Sequence, residues 1–127
     1  MFQERLSRAA AALREQGSDM LLVTPGADLR YLTGYDALPL ERLTCLALRS
    51  DGSAHLIVPL LERPAAQAHG VEDHGMTLLA WGETQDPYRM LAEATGGVRT
   101  VLMNNLMWFE KAVHLQSAYG IEAQLAG

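Results

Sequence analysis

LTCLALRSDGSAHLIV, residues 43–58, is the stretch of sequence that decides the fold of this chain. Residues 43–48 and 54–58 are apolar and partly β-branched, which is typical of strands. Ser50–Ser53 separates the two runs, and an Asp-Gly pair in that position is a strong signal for a β-hairpin. Pro59 closes the second strand. The sequence therefore predicts an antiparallel hairpin near the middle of the chain.

Helices and strands alternate on both sides of this hairpin. Residues 2–13 show helical spacing that ends at Gly17, and the short apolar run 20–23 predicts a buried strand. Periodicity and turn signals also predict a helical turn over 28–32 and helices over 62–68, 87–95 and 108–118. Asp86 caps the second of these helices, and the third shows helical spacing through Phe109, Ala112, Val113 and Leu115. Further strands are predicted over 77–81, 98–103 and 121–125. A hairpin inside a βα alternation implies an α/β fold of three-layer type, with a mixed sheet of about six strands and helices on its faces.

The composition is that of a single globular domain covering residues 1–127. Hydrophobic residues make up 49% and charged residues 20% of the chain, which argues against disorder. The net charge is −5, and the basic residues form no cluster, so we expect no nucleic-acid partner. No apolar run approaches the roughly 18 residues of a membrane span, and the N-terminus has no signal-peptide pattern. The one cysteine, Cys45, is compatible with a reducing cytoplasm, where we expect the protein.

The residues themselves provide no complete set of catalytic groups. Cys45 lies in an apolar strand pattern, which is typical of a buried and unreactive thiol. The only local cluster of ligand-type side chains, between His69 and His74, lacks the spacing of a known metal motif and lies between glycines. The chain contains neither a nucleophile elbow nor a phosphate-binding loop. We therefore predict no catalytic residue and no metal ligand in this chain.

The irregular segment 28–42 is the exception, because it combines two tyrosines, two arginines and a Thr-Gly break within fifteen residues. Loops carry function more often than regular elements do, and arginine binds a carboxylate through two parallel hydrogen bonds. The alternative is structural: Glu41 and Arg42 form a surface ion pair, which contributes less than about 1 kcal/mol.

In this segment the chain resembles the N-terminal domain of the creatinase/prolidase family. The resemblance extends in the family's order over nearly the whole chain, through 19–25, 28–35, Glu41-Arg42-Leu43, Asp51-Gly52, 58–62, Trp81, Asp86-Pro87, Met107-Trp108 and 114–116. One departure is Asp28, where the family commonly has asparagine; both residues can cap the following turn.

The resemblance implies a non-catalytic domain that precedes a "pita-bread" catalytic domain, which is absent from this chain. That catalytic domain would bind two divalent metal ions (Mn, Co or Zn) and hydrolyse Xaa-Pro bonds or, in some relatives, creatine. The resemblance also implies a homodimer, in which this domain completes the substrate site of the partner subunit. By the same resemblance, Arg42 would contact a substrate carboxylate there, and Tyr35 would lie on the rim. The expected partners are its own catalytic domain, a second subunit and a proline-containing peptide.

Two alternatives stay open at this point. The chain is a stand-alone binding or regulatory module that kept the fold without a catalytic domain, which the reading frame beyond Gly127 would reveal. Or it is a small enzyme that uses Cys45 or the loop from His69 to His74, which thiol titration and metal analysis would test.

Overall fold

A computed structural model describes residues 1–126 of the chain, which form six strands, five helices and a short 3-10 turn. In chain order the elements are α1 (Phe2–Gln16), β1 (Met20–Val23), α2 (Ala27–Thr33), β2 (Cys45–Arg49), β3 (Ala54–Pro59), the 3-10 turn (Leu60–Glu62), α3 (Arg63–Ala68), β4 (Met76–Trp81), α4 (Pro87–Thr95), β5 (Val101–Met103), α5 (Phe109–Tyr119) and β6 (Ala123–Leu125).

The strands form one mixed sheet in the order β4-β3-β2-β1-β5-β6. The predicted hairpin is confirmed: β2 and β3 are antiparallel, with Cys45 opposite Ile57. β1 is also antiparallel to β2. The remaining neighbours are parallel. A connection that contains a helix joins β3 to β4 and β5 to β6, whereas three other strands separate β1 from β5 in the chain. The α/β class and the six-stranded mixed sheet are thus as predicted.

Helices cover both faces of the sheet, because successive side chains of a strand point to opposite faces. In β2, Leu46 and Leu48 pack with residues of α1, α2 and α3. Cys45 and Ala47 pack on the other side, with Leu91 of α4 and Leu115 of α5 among their neighbours. The domain therefore has three layers and two apolar cores, separated by the sheet.

Local signals set the ends of the helices. Gly17 follows α1 with φ 73°, a left-handed conformation that glycine adopts at little cost. Asp86 precedes α4, and its side chain accepts hydrogen bonds from the backbone N–H groups of Tyr88 and Arg89.

Within residues 1–126, no helix combines the length and the apolar character needed to cross a membrane.

The strand predicted over 98–103 is shorter in the structure, where β5 begins at Val101. The Asp19 carboxylate accepts hydrogen bonds from the backbone N–H groups of Arg99 and Thr100, at 2.7 and 3.2 Å. These two amide groups therefore donate to a side chain and not to a neighbouring strand. For this reason the strand hydrogen bonds of β5 begin only at Val101.

Helix α5 buries only part of the apolar face that its spacing indicates, because Ala112 packs against the core but Phe109 does not. Leu115 is buried, but Phe109 and Val113 are exposed. Lys111 is buried instead, and its Nζ donates a hydrogen bond to the carbonyl oxygen of Glu41. This bond and the contact of Nζ with the Glu110 carboxylate at 3.5 Å provide partners for the buried ammonium group, while Phe109 and Val113 point away from the core.

Candidate functional site

One edge of the sheet collects most of the loops. The parallel pairing places Pro59 opposite Trp81 and Met103 opposite Leu125, so β3, β4, β5 and β6 end at the same edge. β1 ends there too, at Val23, and β2 begins there. We call this edge, marked by these five residues, the carboxyl edge. Binding sites of open α/β sheets lie outside the carboxyl ends of the strands, so we expect a binding site of this domain at the carboxyl edge.

An open groove of about 630 Å³ lies at the carboxyl edge, between the irregular segment and the end of β3. We call it the rim groove. Its lining combines apolar and charged side chains and consists of Asp36, Ala37, Leu38, Leu40, Glu41, Arg42, Thr44, Pro59, Leu61 and Glu62. The sequence prediction of a functional segment around Arg42 thus coincides with a groove in the structure.

Arg42 lies at the wall of this groove with its side chain 46% exposed. Its Nη2 donates a hydrogen bond to Oε1 of Glu83 at 3.0 Å, and the guanidinium carbon lies 6.0 Å from the centroid of the Trp81 ring. The ion pair of Arg42 is therefore with Glu83, not with its neighbour Glu41 as the structural alternative supposed. Glu83 uses one of the five N–H donors of the guanidinium group.

The backbone on both sides of Arg42 is held by side chains from other elements. The indole Nε1 of Trp81 donates to the carbonyl oxygen of Leu43 at 2.9 Å. On the other side, the buried Lys111 donates to the carbonyl oxygen of Glu41. Arg42 therefore projects from a fixed backbone. Sequence reasoning did not assign these roles to Trp81 and Lys111; the one available signal was that Lys111 is the only lysine of the chain.

Tyr35 lies in the core, not on the surface of the groove. The residue is 2% exposed, and its ring packs edge-on against His69 at 5.4 Å between centroids. Its hydroxyl donates a hydrogen bond to Oε1 of Glu62 at 2.8 Å. Burial, together with this bond to a carboxylate, raises the pKa of Tyr35 far above its ordinary value. Glu62, in turn, lines the rim groove. A rim role for Tyr35 stays a prediction, and the contact with Glu62 is its link to the groove.

The residues of the small-enzyme alternative do not line the rim groove. Cys45 is buried, and burial raises the pKa of its thiol to about 12, so the nucleophilic thiolate is scarce at neutral pH. His69 Nδ1 contacts the carbonyl oxygen of Ala65, whereas the His74 ring packs against Phe2. Among residues 1–126, no three His, Cys, Asp or Glu side chains are grouped as metal ligands. The described residues therefore do not fit the metal ions that the resemblance implies for a catalytic domain.

Comparison with known proteins identifies the domain. The family described as "Creatinase/Prolidase N-terminal domain" has a model that matches residues 5–124. The chain belongs to this family. This confirms the resemblance found in the sequence.

Among curated proteins, the chain is similar to the probable dipeptidase PepE of Mycobacterium tuberculosis and of Mycobacterium bovis. It is 36% identical to each over 97 residues, which are 76% of this chain and 26% of the relative. The chain thus spans about a quarter of the length of these curated relatives.

Solved structures agree with the family assignment. The crystal structure of dipeptidase PepE from Mycobacterium ulcerans is 34% identical and superimposes with a TM-score of 0.90, over 98% of this chain and 34% of that one. The creatinase/prolidase N-terminal domain of a Streptococcus pyogenes X-Pro dipeptidase superimposes with a TM-score of 0.84 at 18% identity, over 98% of this chain and 94% of that one. The latter likeness shows the shared fold.

Proposed function

We propose that this chain is the non-catalytic N-terminal domain of an Xaa-Pro dipeptidase-like metallohydrolase, where it supports dimerisation and completes the substrate site of the partner subunit. The relatives in which this domain occurs are named dipeptidases, and they extend well beyond the part that this chain matches. In this proposal the chemistry belongs to a catalytic domain with two divalent metal ions (Mn, Co or Zn), and the substrate is a proline-containing peptide.

The observation that carries the proposal is the fixed but exposed guanidinium group of Arg42. Hydrogen bonds to the carbonyl oxygens of Glu41 and Leu43 hold the backbone on either side of it. Glu83 orients one edge of the guanidinium group. A group positioned in this way loses little conformational entropy when it binds the carboxylate of a short peptide. Arg42 would therefore both orient the peptide and limit its length.

Tyr35 has a supporting role in this proposal. Its buried hydroxyl holds Glu62, which lines the rim groove together with Arg42. The groove then presents a positive and a negative group in fixed positions. Tyr35 is accordingly a positioning residue that acts through Glu62.

Dimerisation is supported by the apolar side chains next to the groove. Leu38, Leu40, Leu60 and Leu61 are all exposed, and clustered exposed leucines mark interaction surfaces. A two-fold dimer that covers them would bring Arg42 to the partner subunit's catalytic domain. We also propose a cytoplasmic location, with which the single free thiol of Cys45 is compatible.

Steady-state kinetics of the full-length protein test the role of Arg42. Loss of a hydrogen-bonded charge pair costs about 1.5–3 kcal/mol, so Arg42→Ala should raise KM for an Xaa-Pro dipeptide by roughly 10- to 150-fold. Arg42→Lys should recover only part of this loss, because lysine lacks the planar fork. Arg89→Ala removes a more exposed arginine, whose partner is Glu93 on the same helix, and it should leave KM within about twofold.

Two further measurements separate the proposed role from a general structural one. With a dipeptide amide, which lacks the carboxylate, Arg42→Ala should change KM little. Mixed dimers of Arg42→Ala with a variant that lacks a metal ligand in the catalytic domain should regain sites of normal KM, since the second subunit still supplies Arg42. An equal effect on acid and amide, or no recovery in mixed dimers, contradicts the proposal.

A further inference from the structure

A second exposed apolar surface lies at the carboxyl edge, around the start of α5. Leu106 is 90% exposed and Phe109 82% exposed, and Trp108 and Val113 are exposed as well. We call these four residues the β5–α5 patch. Residues 104–109 contain no charged side chain. Exposed aromatic and aliphatic side chains that lie this close together mark an interface, because large apolar groups are otherwise withdrawn from water.

The polypeptide leaves the sheet beside this patch. β6 runs parallel to β5, with Leu125 opposite Met103. The backbone N–H of Ala126 then donates to the carbonyl oxygen of Met103 at 2.8 Å, three residues before Leu106 in the chain. Leu106 and Ala126 also line the same cavity of about 530 Å³. Any residues that follow the domain therefore start next to the patch.

The β5–α5 patch and the rim groove differ in charge. The groove is lined by four charged residues, Asp36, Glu41, Arg42 and Glu62. Residues 104–109, which supply Leu106, Trp108 and Phe109, contain none, and Glu110 follows them at the start of α5. Interfaces that stay permanently closed are more apolar than those that open to a substrate or partner, and charged residues are depleted at their centres. The patch therefore fits a contact that is always made.

We propose that the β5–α5 patch is the docking surface for the domain that follows residue 127 in the full-length protein. This inference rests on the proposed function, which makes the chain the N-terminal part of a longer dipeptidase-like protein. A following domain is tethered within a few residues of the patch, and tethering gives it an effective concentration of the order of millimolar, far above that of a second copy. In this arrangement the β5–α5 patch contacts the following domain of the same subunit, and the rim groove faces the partner subunit.

Hydroxyl-radical footprinting of the full-length protein and of the 127-residue chain tests this assignment. Modification of Leu106, Trp108 and Phe109 should be about fivefold slower in the full-length protein, since side chains at the centre of an interface lose most of their contact with water. The protection should be the same at every protein concentration. Met1 is exposed on the opposite layer and serves as the internal control, with equal rates in both proteins.

Phe109→Asp provides the matched variant. In the 127-residue chain it should leave the melting temperature nearly unchanged, because the side chain is exposed there. In the full-length protein it should restore rapid modification of Trp108. Protection that appears only at concentrations where dimers form would assign the patch to a second copy and overturn the proposal, as would equal modification rates in the two proteins. Protection of the patch without any effect of Arg42→Ala on KM would instead contradict the proposed function alone.

Discussion

Replacing Tyr35 by phenylalanine tests whether the buried Tyr35 hydroxyl positions Glu62 in the rim groove. The substitution keeps the buried ring and removes only the hydroxyl, which donates to Oε1 of Glu62 at 2.8 Å. A hydrogen bond to a charged group contributes about 1.5–3 kcal/mol. Glu62 is partly exposed and regains water when the hydroxyl is removed, so we expect a loss of about 1–2 kcal/mol in the free energy of unfolding.

The corresponding change in melting temperature follows from the length of the chain. At about 2.1 cal/mol/K per residue, 127 residues give an unfolding entropy of about 270 cal/mol/K. A loss of about 1–2 kcal/mol then lowers the melting temperature by roughly 4–8 °C. In the full-length protein, the released Glu62 should also raise KM for the dipeptide, with a smaller effect than Arg42→Ala.

Thermal unfolding followed by circular dichroism measures this change, and Tyr31→Phe is the matched control. Tyr31 is about half exposed, so loss of its hydroxyl should change the free energy of unfolding by less than about 0.5 kcal/mol. If Tyr35→Phe and Tyr31→Phe melt at the same temperature, the bond to Glu62 contributes nothing and the role given to Tyr35 is wrong.

Three further predictions concern the rest of the domain. Asp86→Ala removes the cap of α4 and should cost about 1 kcal/mol, measured as a shift of roughly 4 °C in the melting temperature. Cys45 should react with a thiol reagent at pH 8 more than about a thousandfold slower than a free cysteine, because burial raises its pKa to about 12; rapid labelling of the folded chain would contradict this. The backbone amides of Arg99 and Thr100 lower the pKa of Asp19, so its contribution to stability is present above pH 3.8 and is lost as the pH falls through the folded value. Asp19→Asn should therefore lose less stability than the parent between pH 6 and pH 3, measured from urea midpoints.

Local patterns in the sequence were sufficient to predict most elements. The Asp-Gly turn and the Asp86 cap act within a few residues of themselves, so their consequences are visible in a single sequence. The start of β5 was missed because the carboxylate that bonds the Arg99 amide belongs to Asp19, 80 residues away. The order of the strands in the sheet was likewise not predictable, because it depends on how distant segments pack.

In the candidate site, too, local features were predictable from the sequence and contacts between distant residues were not. The sequence indicated the segment around Arg42, because its composition is unusual for a loop. It did not indicate Glu83 as the partner of Arg42, since the two residues are 41 positions apart. Nor did it indicate that Lys111 would be buried and Phe109 exposed, because the spacing of apolar residues alone favours burial of Phe109.

A peptidase assay on two proteins tests the central claim, that this domain is a non-catalytic part of a larger hydrolase. The 127-residue chain and the full-length protein are incubated in parallel with an Xaa-Pro dipeptide and with manganese or cobalt. We predict that the full-length protein releases free proline and that the 127-residue chain does not, with either metal. Cleavage by the 127-residue chain itself would contradict the account.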